Sequence, residues 1–461
     1  MKCRFRMASE IFAFLRCKQC VRAADTPVAR HADFELRALT EEDGNEEEPS
    51  YTWRRNILIA ALLSTITFFV ASAYSMVGSF FPIEAAEMGS NSITTAVIIG
   101  VSPLCLATLS PVIGYFLPKL GIKMILVSGQ VLVGGAFFLM AFLAYMPSST
   151  SFVVYGILLR VTEGVGWAMS NTTTFALIPV LFPSRVGTLT GLIFGALGLG
   201  YTAGPPLGSI LVVAAGYSAP FWIVGGILLC LAPVTFLLLK ETSTSSKVLP
   251  FQIVIKLLSH LSFSMIQIAD IVGYGSLTFQ GAALGVYLMN EIGLNLLEIG
   301  IYFAVIAVSY TLITVVAGWL SDKFGPRTLI ITGLFICGAS LMVLGLNQLP
   351  PIPPQWTILI ALALVGCGAA LADVPTYSDL LQQAQTLYAK ENQESLIAAV
   401  SGITAFSQAF GSFLGAILGG FLTYFTEFTT ASLIFGEVIT MHAFLVLGVS
   451  LIDHLFLKLK S

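Results

Sequence analysis

Twelve apolar runs, each long enough to cross a bilayer, dominate this chain and limit what it can become. A membrane-spanning helix needs roughly 20 consecutive apolar residues. Runs of that order lie near 56–81, 93–117, 122–145, 151–180, 186–214 and 219–239, and again near 262–289, 296–320, 327–347, 356–382, 393–424 and 430–457. The chain has 461 residues, of which 56% are hydrophobic and 10% charged. A typical soluble domain is about 25% charged. So much apolar surface does not fit inside a soluble fold, so lipid must be the solvent. The pattern predicts an all-α membrane protein with twelve transmembrane helices in two six-helix halves, 56–240 and 262–457. A linker at 241–261 joins the halves, and 458–461 forms a short C-terminus.

Residues 1–55 differ. They hold ten Lys/Arg, ten Asp/Glu and no long apolar run. The segment IFAFL (11–15) is too short for a signal-peptide core, and EEDGNEEEPS (41–50) has a disordered composition. This part reads as an uncleaved polar tail. Cys17 and Cys20 form a lone CxxC with no second pair, so no zinc site is expected.

The basic residues set the orientation. After the tail, Lys119, Lys123, Arg185, Lys240, Lys247, Lys256, Lys323, Arg327, Lys390, Lys458 and Lys460 fall at helix ends or connections on the tail's side. The opposite connections carry Glu84, Glu87, Glu291, Glu298 and Glu427. The positive-inside rule then predicts that both termini are cytoplasmic. Arg160 alone breaks the pattern.

Two echoes suggest a duplicated unit. AGWLSDKFGPRTLI (317–330) places Asp322, Lys323 and Arg327 in one short turn, with Gly318 and Gly325. GYFLPKLGIK (114–123) repeats it 204 positions earlier: Gly114, Lys119 and Gly121 match Gly318, Lys323 and Gly325, and Pro118 replaces the acid. Gly200, Gly204 and Gly208 are likewise echoed by Gly411, Gly415 and Gly419. Duplicated halves typify secondary transporters, whose substrate site lies between them near the midplane.

The pattern G-x-x-x-D-K-x-G-x-R at Gly318–Arg327 resembles the cytoplasmic-loop signature of the major facilitator superfamily. That resemblance implies the major facilitator fold and a latch that breaks and re-forms as the halves rock. GYTAGPPLG, with Gly200, Gly204, Pro205 and Gly208, is similar to the fifth-helix antiporter signature of that family. Small residues every fourth position also serve ordinary close helix packing. AYSMVGSFFPIEAAEMGS (73–90), PTYSD (375–379) and SLIAAVSG (395–402) are similar to the vesicular amine transporter family, especially its polyamine-transporter-like branch. Arg160, Gly164 and Gly166 match a fourth-helix arginine pattern linked in the family to proton transfer.

Few ionisable residues lie inside the spans. Each costs about 2.5–3.5 kcal/mol on insertion scales, so it usually faces protein or water. Arg160 and Glu163 share a helix face and can pair. Asp270 and Asp373 are candidates for proton coupling or cargo binding, because burial favours the neutral form of a carboxyl group and suits it to carry a proton. Asp373 and Asp379 are six apart and face different directions, and Asp379 is a candidate gate. Gly318, Asp322, Lys323 and Arg327 complete the expected gate. Tyr74, Trp167, Tyr201, Tyr310 and Tyr377 are candidate cavity aromatics, able to hold a cation over their rings.

The resemblance has gaps. The first span contains no carboxylate, whereas vesicular monoamine transporters use one there, and the eleventh has Gln408 where those carry acids. A monoamine site of that type is not expected. No GxxxxGK[ST] loop, HExxH helix or nucleophile elbow occurs, so neither ATP-driven transport nor an enzyme is indicated. The expectation is a proton-coupled antiporter for an organic cation, an amine or polyamine, in a vesicle, endomembrane or plasma membrane. It would be a monomer in the lipid bilayer. Its ligands would be a small-molecule substrate and protons, with no cofactor, metal or nucleic acid. The alternatives are a facilitative carrier or exporter of another solute, or a transporter-like receptor or scaffold.

Overall fold

A computed structural model describes residues 53–90, 92–240, 249–346 and 354–460. Every regular element among them is helical. With no water in a bilayer core, backbone polar groups must be satisfied within the segment, which the helix does. The first half comprises α1 (Trp53–Glu87), α2 (Ser92–Leu120), α3 (Ile122–Met140), α4 (Ser149–Leu181), α5 (Val186–Ala215) and α6 (Ser218–Leu238). A short helix, α7 (Phe251–Ser259), precedes the second half. That half comprises α8 (Leu261–Asn290), α9 (Leu296–Phe324), α10 (Pro326–Leu346), α11 (Pro354–Leu387), α12 (Gln393–Phe425) and α13 (Phe428–Lys460).

Among the described residues, eleven helices are long and apolar enough to cross a membrane, and twelve if α7 and the start of α8 count as one span bent by 80°. The weak case has a physical cause. The seventh expected span, α8, is 30 residues long but carries Gln267, Asp270 and Gln280. Residues 241–248 of the expected linker lie outside the described residues, and its later part forms α7. Phe251, Ile255 and Leu258 are exposed there and Leu257 is buried, so apolar side chains lie on both sides of this short helix.

The expected tail lies outside the described residues as far as position 52, whereas Trp53–Arg55 already belong to α1. The start of α1 caps two neighbours. Arg55 Nε donates to Leu238 O at 3.0 Å, at the end of α6. Asn56 Nδ2 donates to Leu181 O at 2.9 Å, at the end of α4. Both carbonyls lack helical partners because the last turn of a helix has none to offer.

The two halves pack alike. In the first, α1 lies against α5, α2 against α4, and α3 against α4 and α6. In the second, α8 lies against α12, α9 against α11, and α10 against α11 and α13. The same correspondence holds for single residues. A Cβ on Gly129 would meet Gly166 O at 2.8 Å, and one on Gly333 would meet Gly368 O at 2.6 Å. The echoed turn glycines Gly121 and Gly325 both adopt positive φ, 83° and 88°, where a side chain would be strained. The halves meet along two seams, α2 with α12 and α5 with α9.

Polarity is inverted relative to a soluble protein. Val112, Phe116, Ile210 and Val213 are exposed, while Arg160, Glu163, Asp270 and Asp373 are at most 1% exposed. In lipid this is the stable arrangement, since charge must face protein.

Candidate functional site: two charged centres and a seam

The second half holds a pair of acids. Asp270 on α8 and Asp373 on α11 are within electrostatic reach of each other. Gly273, one turn along α8 from Asp270, makes this possible: a Cβ there would run into Asp373 Oδ1. All four carboxylate oxygens are buried without a hydrogen-bond partner. Tyr274 and Tyr310 stand beside the pair. Cys337 Sγ donates to Ser276 Oγ at 3.3 Å on the same side. No protein cation answers these acids among the described ion pairs. A buried charge without a partner is costly.

The first half holds a compensated centre. Arg160 Nη1 and Glu163 Oε2 are 2.6 Å apart on α4, as the i, i+3 spacing anticipated. Arg160 Nη2 donates to Ile99 O at 3.0 Å, and Nε reaches Ile98 O at 3.4 Å, both on α2. The guanidinium also lies 5.4 Å from the Tyr74 ring centroid. Tyr74 in turn touches Trp167, at 5.0 Å, and Tyr201, at 6.1 Å. Three of the expected cavity aromatics therefore form one cluster around Arg160.

The glycine motif of α5 is a helix contact. A Cβ on Gly200 would meet Phe68 O at 2.5 Å, one on Gly204 would run into Ser75 Oγ, and one on Gly208 would meet Met76 Cβ at 2.8 Å. Ser72 and Ser75 hydroxyls both donate to Gly200 O at 3.3 Å. Pro205 lies within α5, which runs unbroken from Val186 to Ala215.

The expected gate divides. Asp322 crosses the α5–α9 seam and accepts hydrogen bonds from Gly187 N at 2.8 Å, Thr188 N at 2.7 Å and Thr188 Oγ1. It thereby caps α5 from the other half, where orphan amides and the helix dipole favour an anion. Gly318 packs on the Gly187 carbonyl. Arg327 stays within its own half: Nη1 donates to Asp453 Oδ2 at 2.9 Å and Nη2 to Asp379 Oδ2 at 3.3 Å. Lys323 lies 5.0 Å from the Trp319 ring on its own helix. At the other seam Pro118 stands in place of the acid, beside a cavity of about 70 Å³ lined by Leu117, Ile397 and Ala398.

The hydrogen bonds of Asp322 and Tyr377 between the halves, and the contacts of Gly187 and Gly318, fall toward the face where Lys119, Arg185, Lys323 and Lys390 lie, here called the basic face. Tyr377 belongs to this set. Its hydroxyl donates to Phe175 O on α4 at 2.8 Å and lies 3.1 Å from Ser401 Oγ on α12. At the opposite, acidic face, partial burial and the neighbouring Glu87 raise the Glu84 carboxyl above its ordinary range.

Their place inside apolar spans pointed to both acids of the pair, and Tyr310 was among the expected cavity aromatics, whereas Tyr274, Gly273 and Cys337 were not singled out. Tyr274 is i+4 from Asp270 and was findable on that ground. Gly273 and Cys337 become neighbours of Asp373 only through helix packing.

The sequence model of the Major Facilitator Superfamily matches residues 63–264 and 266–452. A rat protein named MFS-type transporter SLC18B1 is 28% identical over 410 residues, covering 87% of this chain and 88% of its own. The human protein of that name is 27% identical over 381 residues, covering 82% of each chain. The human synaptic vesicular amine transporter is 21% identical over 318 residues, covering 66% of this chain and 59% of its own. The fold is also similar to a crystal structure of a bacterial homologue of the iron transporter ferroportin in its outward-facing state. The TM-score is 0.67 at 15% identity, covering 85% of this chain and 99% of that one.

Proposed function

The chain belongs to the major facilitator superfamily, and from that premise we propose that it is a proton-coupled antiporter that moves an organic amine cation by alternating access. The observation that carries this reading is the Asp270–Asp373 pair, buried and, among the described residues, in no ion pair with a protein cation. Such a pair can hold protons or an ammonium group in turn, which is what coupled exchange requires. Tyr274 and Tyr310 offer ring faces and hydroxyls beside it. Arg160 and Glu163 form the complementary centre, where a proton on Glu163 would weaken the hold on the guanidinium. An amine is favoured as cargo by the names of the vesicular amine transporters among the relatives. A polyamine would place more than one ammonium against the two carboxylates. The basic face is the cytoplasmic one on this reading, by the positive-inside rule, and the membrane is that of a vesicle or endomembrane.

The test uses the purified protein in liposomes with an acidic interior and follows labelled spermidine and serotonin. Each assay is run with and without a protonophore. Protonophore-sensitive accumulation, lost in Asp270→Asn or Asp373→Asn, is the expected result. No accumulation of either amine by folded protein overturns the amine reading.

A further inference from the structure

Proline inside a helix removes the N–H that would have bonded the carbonyl four residues earlier. In a bilayer the freed carbonyl must find another donor. Two functional candidates in this protein are seated on carbonyls of this kind. Pro103 on α2 frees Ile99 O, and Arg160 Nη2 donates to it at 3.0 Å. Pro179 on α4 frees Phe175 O, and the Tyr377 hydroxyl donates to it at 2.8 Å. The first contact lies within the first half. The second joins the two halves.

The place of the second contact matters. Tyr377 is one turn from Asp373 on α11, on its basic-face side. It is 0% exposed, and Phe175 and Phe194 are each 1% exposed. The Tyr377 ring lies 5.2 Å from Phe175, Phe175 lies 5.8 Å from Phe194, and Phe194 lies 6.3 Å from Tyr274. Two of these four rings come from each half, and they run from Tyr274 beside the acid pair to Tyr377, which lies on the basic-face side of Asp373. The hydrophobic gain from burying these rings is non-directional. Among the described hydrogen bonds, Tyr377 to Phe175 O is the link in this layer that joins the two halves, while Ser401 Oγ, 3.1 Å from the same hydroxyl, belongs to the half of Tyr377; its acceptor is the carbonyl that Pro179 leaves without a helical donor.

We infer that Pro179 and Tyr377 form a releasable lock: the proline frees the Phe175 carbonyl as a socket, and the tyrosine hydroxyl holds the halves shut beneath the acid pair. When the basic face opens, the hydroxyl leaves and water can take the carbonyl, so the socket need not be buried unpaired in either state. An ordinary helical carbonyl, already bonded within its helix, would make a weaker acceptor. Tyr377 is thus a positioning residue for the gate, not one of the side chains that touch cargo.

The inference rests on the alternating-access reading, but its test needs no cargo, so it fails or holds separately from the transport assay. Hydrogen–deuterium exchange of the full chain in lipid nanodiscs reads opening of the seam through peptides in α5 (186–198) and α9 (310–322). Tyr377→Phe removes one oxygen and is expected to raise exchange there roughly 2- to 10-fold, the effect of one lost hydrogen bond. Pro179→Ala returns a helical donor to Phe175 O and is expected to act likewise. The double variant is expected to exceed neither single one. Pro103→Ala is expected to leave these peptides unchanged, because its socket lies within one half. Unchanged exchange in Tyr377→Phe overturns the lock even if Pro179→Ala fails to fold. Additive effects in the double variant, or an equal rise in Pro103→Ala, overturn the role given to Pro179.

Discussion

Asp322, in the last turn of α9, caps the first turn of α5 through Thr188, accepting from its backbone amide at 2.7 Å and from its hydroxyl. One side chain thus serves as the helix cap of the opposite half. At the α2–α12 seam the matching position is Pro118, and α12 is capped within its own chain segment, with Ser395 N donating to Asn392 Oδ1 at 2.9 Å. The two seams are therefore unequal: an acid of one half caps a helix of the other at the first, and at the second a proline stands in its place beside a cavity.

Asp322→Ala is expected to loosen the α5–α9 seam. It leaves two α5 amides without their acceptor, and hydrogen bonds to charged groups are worth about 1.5–3 kcal/mol. Exchange in peptide 186–198 should rise about tenfold or more, with Thr188→Val giving a smaller rise. A wild-type exchange pattern in Asp322→Ala would show that the cap does not hold the seam.

Gly273→Ala should damage the acid pair without touching an ionisable group. The new Cβ would run into Asp373 Oδ1, and the carboxylate must move away. Proton-dependent uptake should fall at least tenfold while thermal stability stays within a few degrees. Retained uptake would argue that Asp373 works from some other position.

Arg160→Ala leaves Glu163 buried beside nothing basic, and breaking a buried pair from one side costs about 3–5 kcal/mol. The melting temperature should drop. Adding Glu163→Gln should recover much of the loss, since the uncompensated charge is gone, yet uptake should stay absent. Recovery of both stability and uptake would reduce this centre to a packing feature.

Gly204→Ala should separate α1 from α5, because its Cβ would meet Ser75 Oγ and lie 2.8 Å from Ser72 O. Ser75→Ala in the same chain should rescue part of the loss, as it removes the first clash and leaves the second. Thermal unfolding of the single and double variants in nanodiscs checks this. Equal stability of the two would point to the Ser72 carbonyl as the whole obstacle.

Much of the architecture is legible in the linear sequence, and the reason is lipid. A bilayer sets the length of each helix and drives charge to the ends, so span lengths and the two charged faces follow from local composition. The glycine echoes anticipate the duplicated packing for the same reason: close helix approach needs small residues at fixed spacing. The pairing of Arg160 with Glu163 is likewise a matter of helical spacing. What the sequence leaves open lies between helices. Gly318, Asp322, Lys323 and Arg327 stand together in one turn, yet Asp322 reaches across the seam while Arg327 turns to Asp379 and Asp453. Tyr377 looks like any other aromatic until Phe175 O, freed by Pro179, lies before its hydroxyl. Asp270 and Asp373 become a pair only where Gly273 lets α8 and α11 close on each other. Helical spacing is fixed by the chain itself, but which faces of two distant helices meet is decided by how the whole bundle packs.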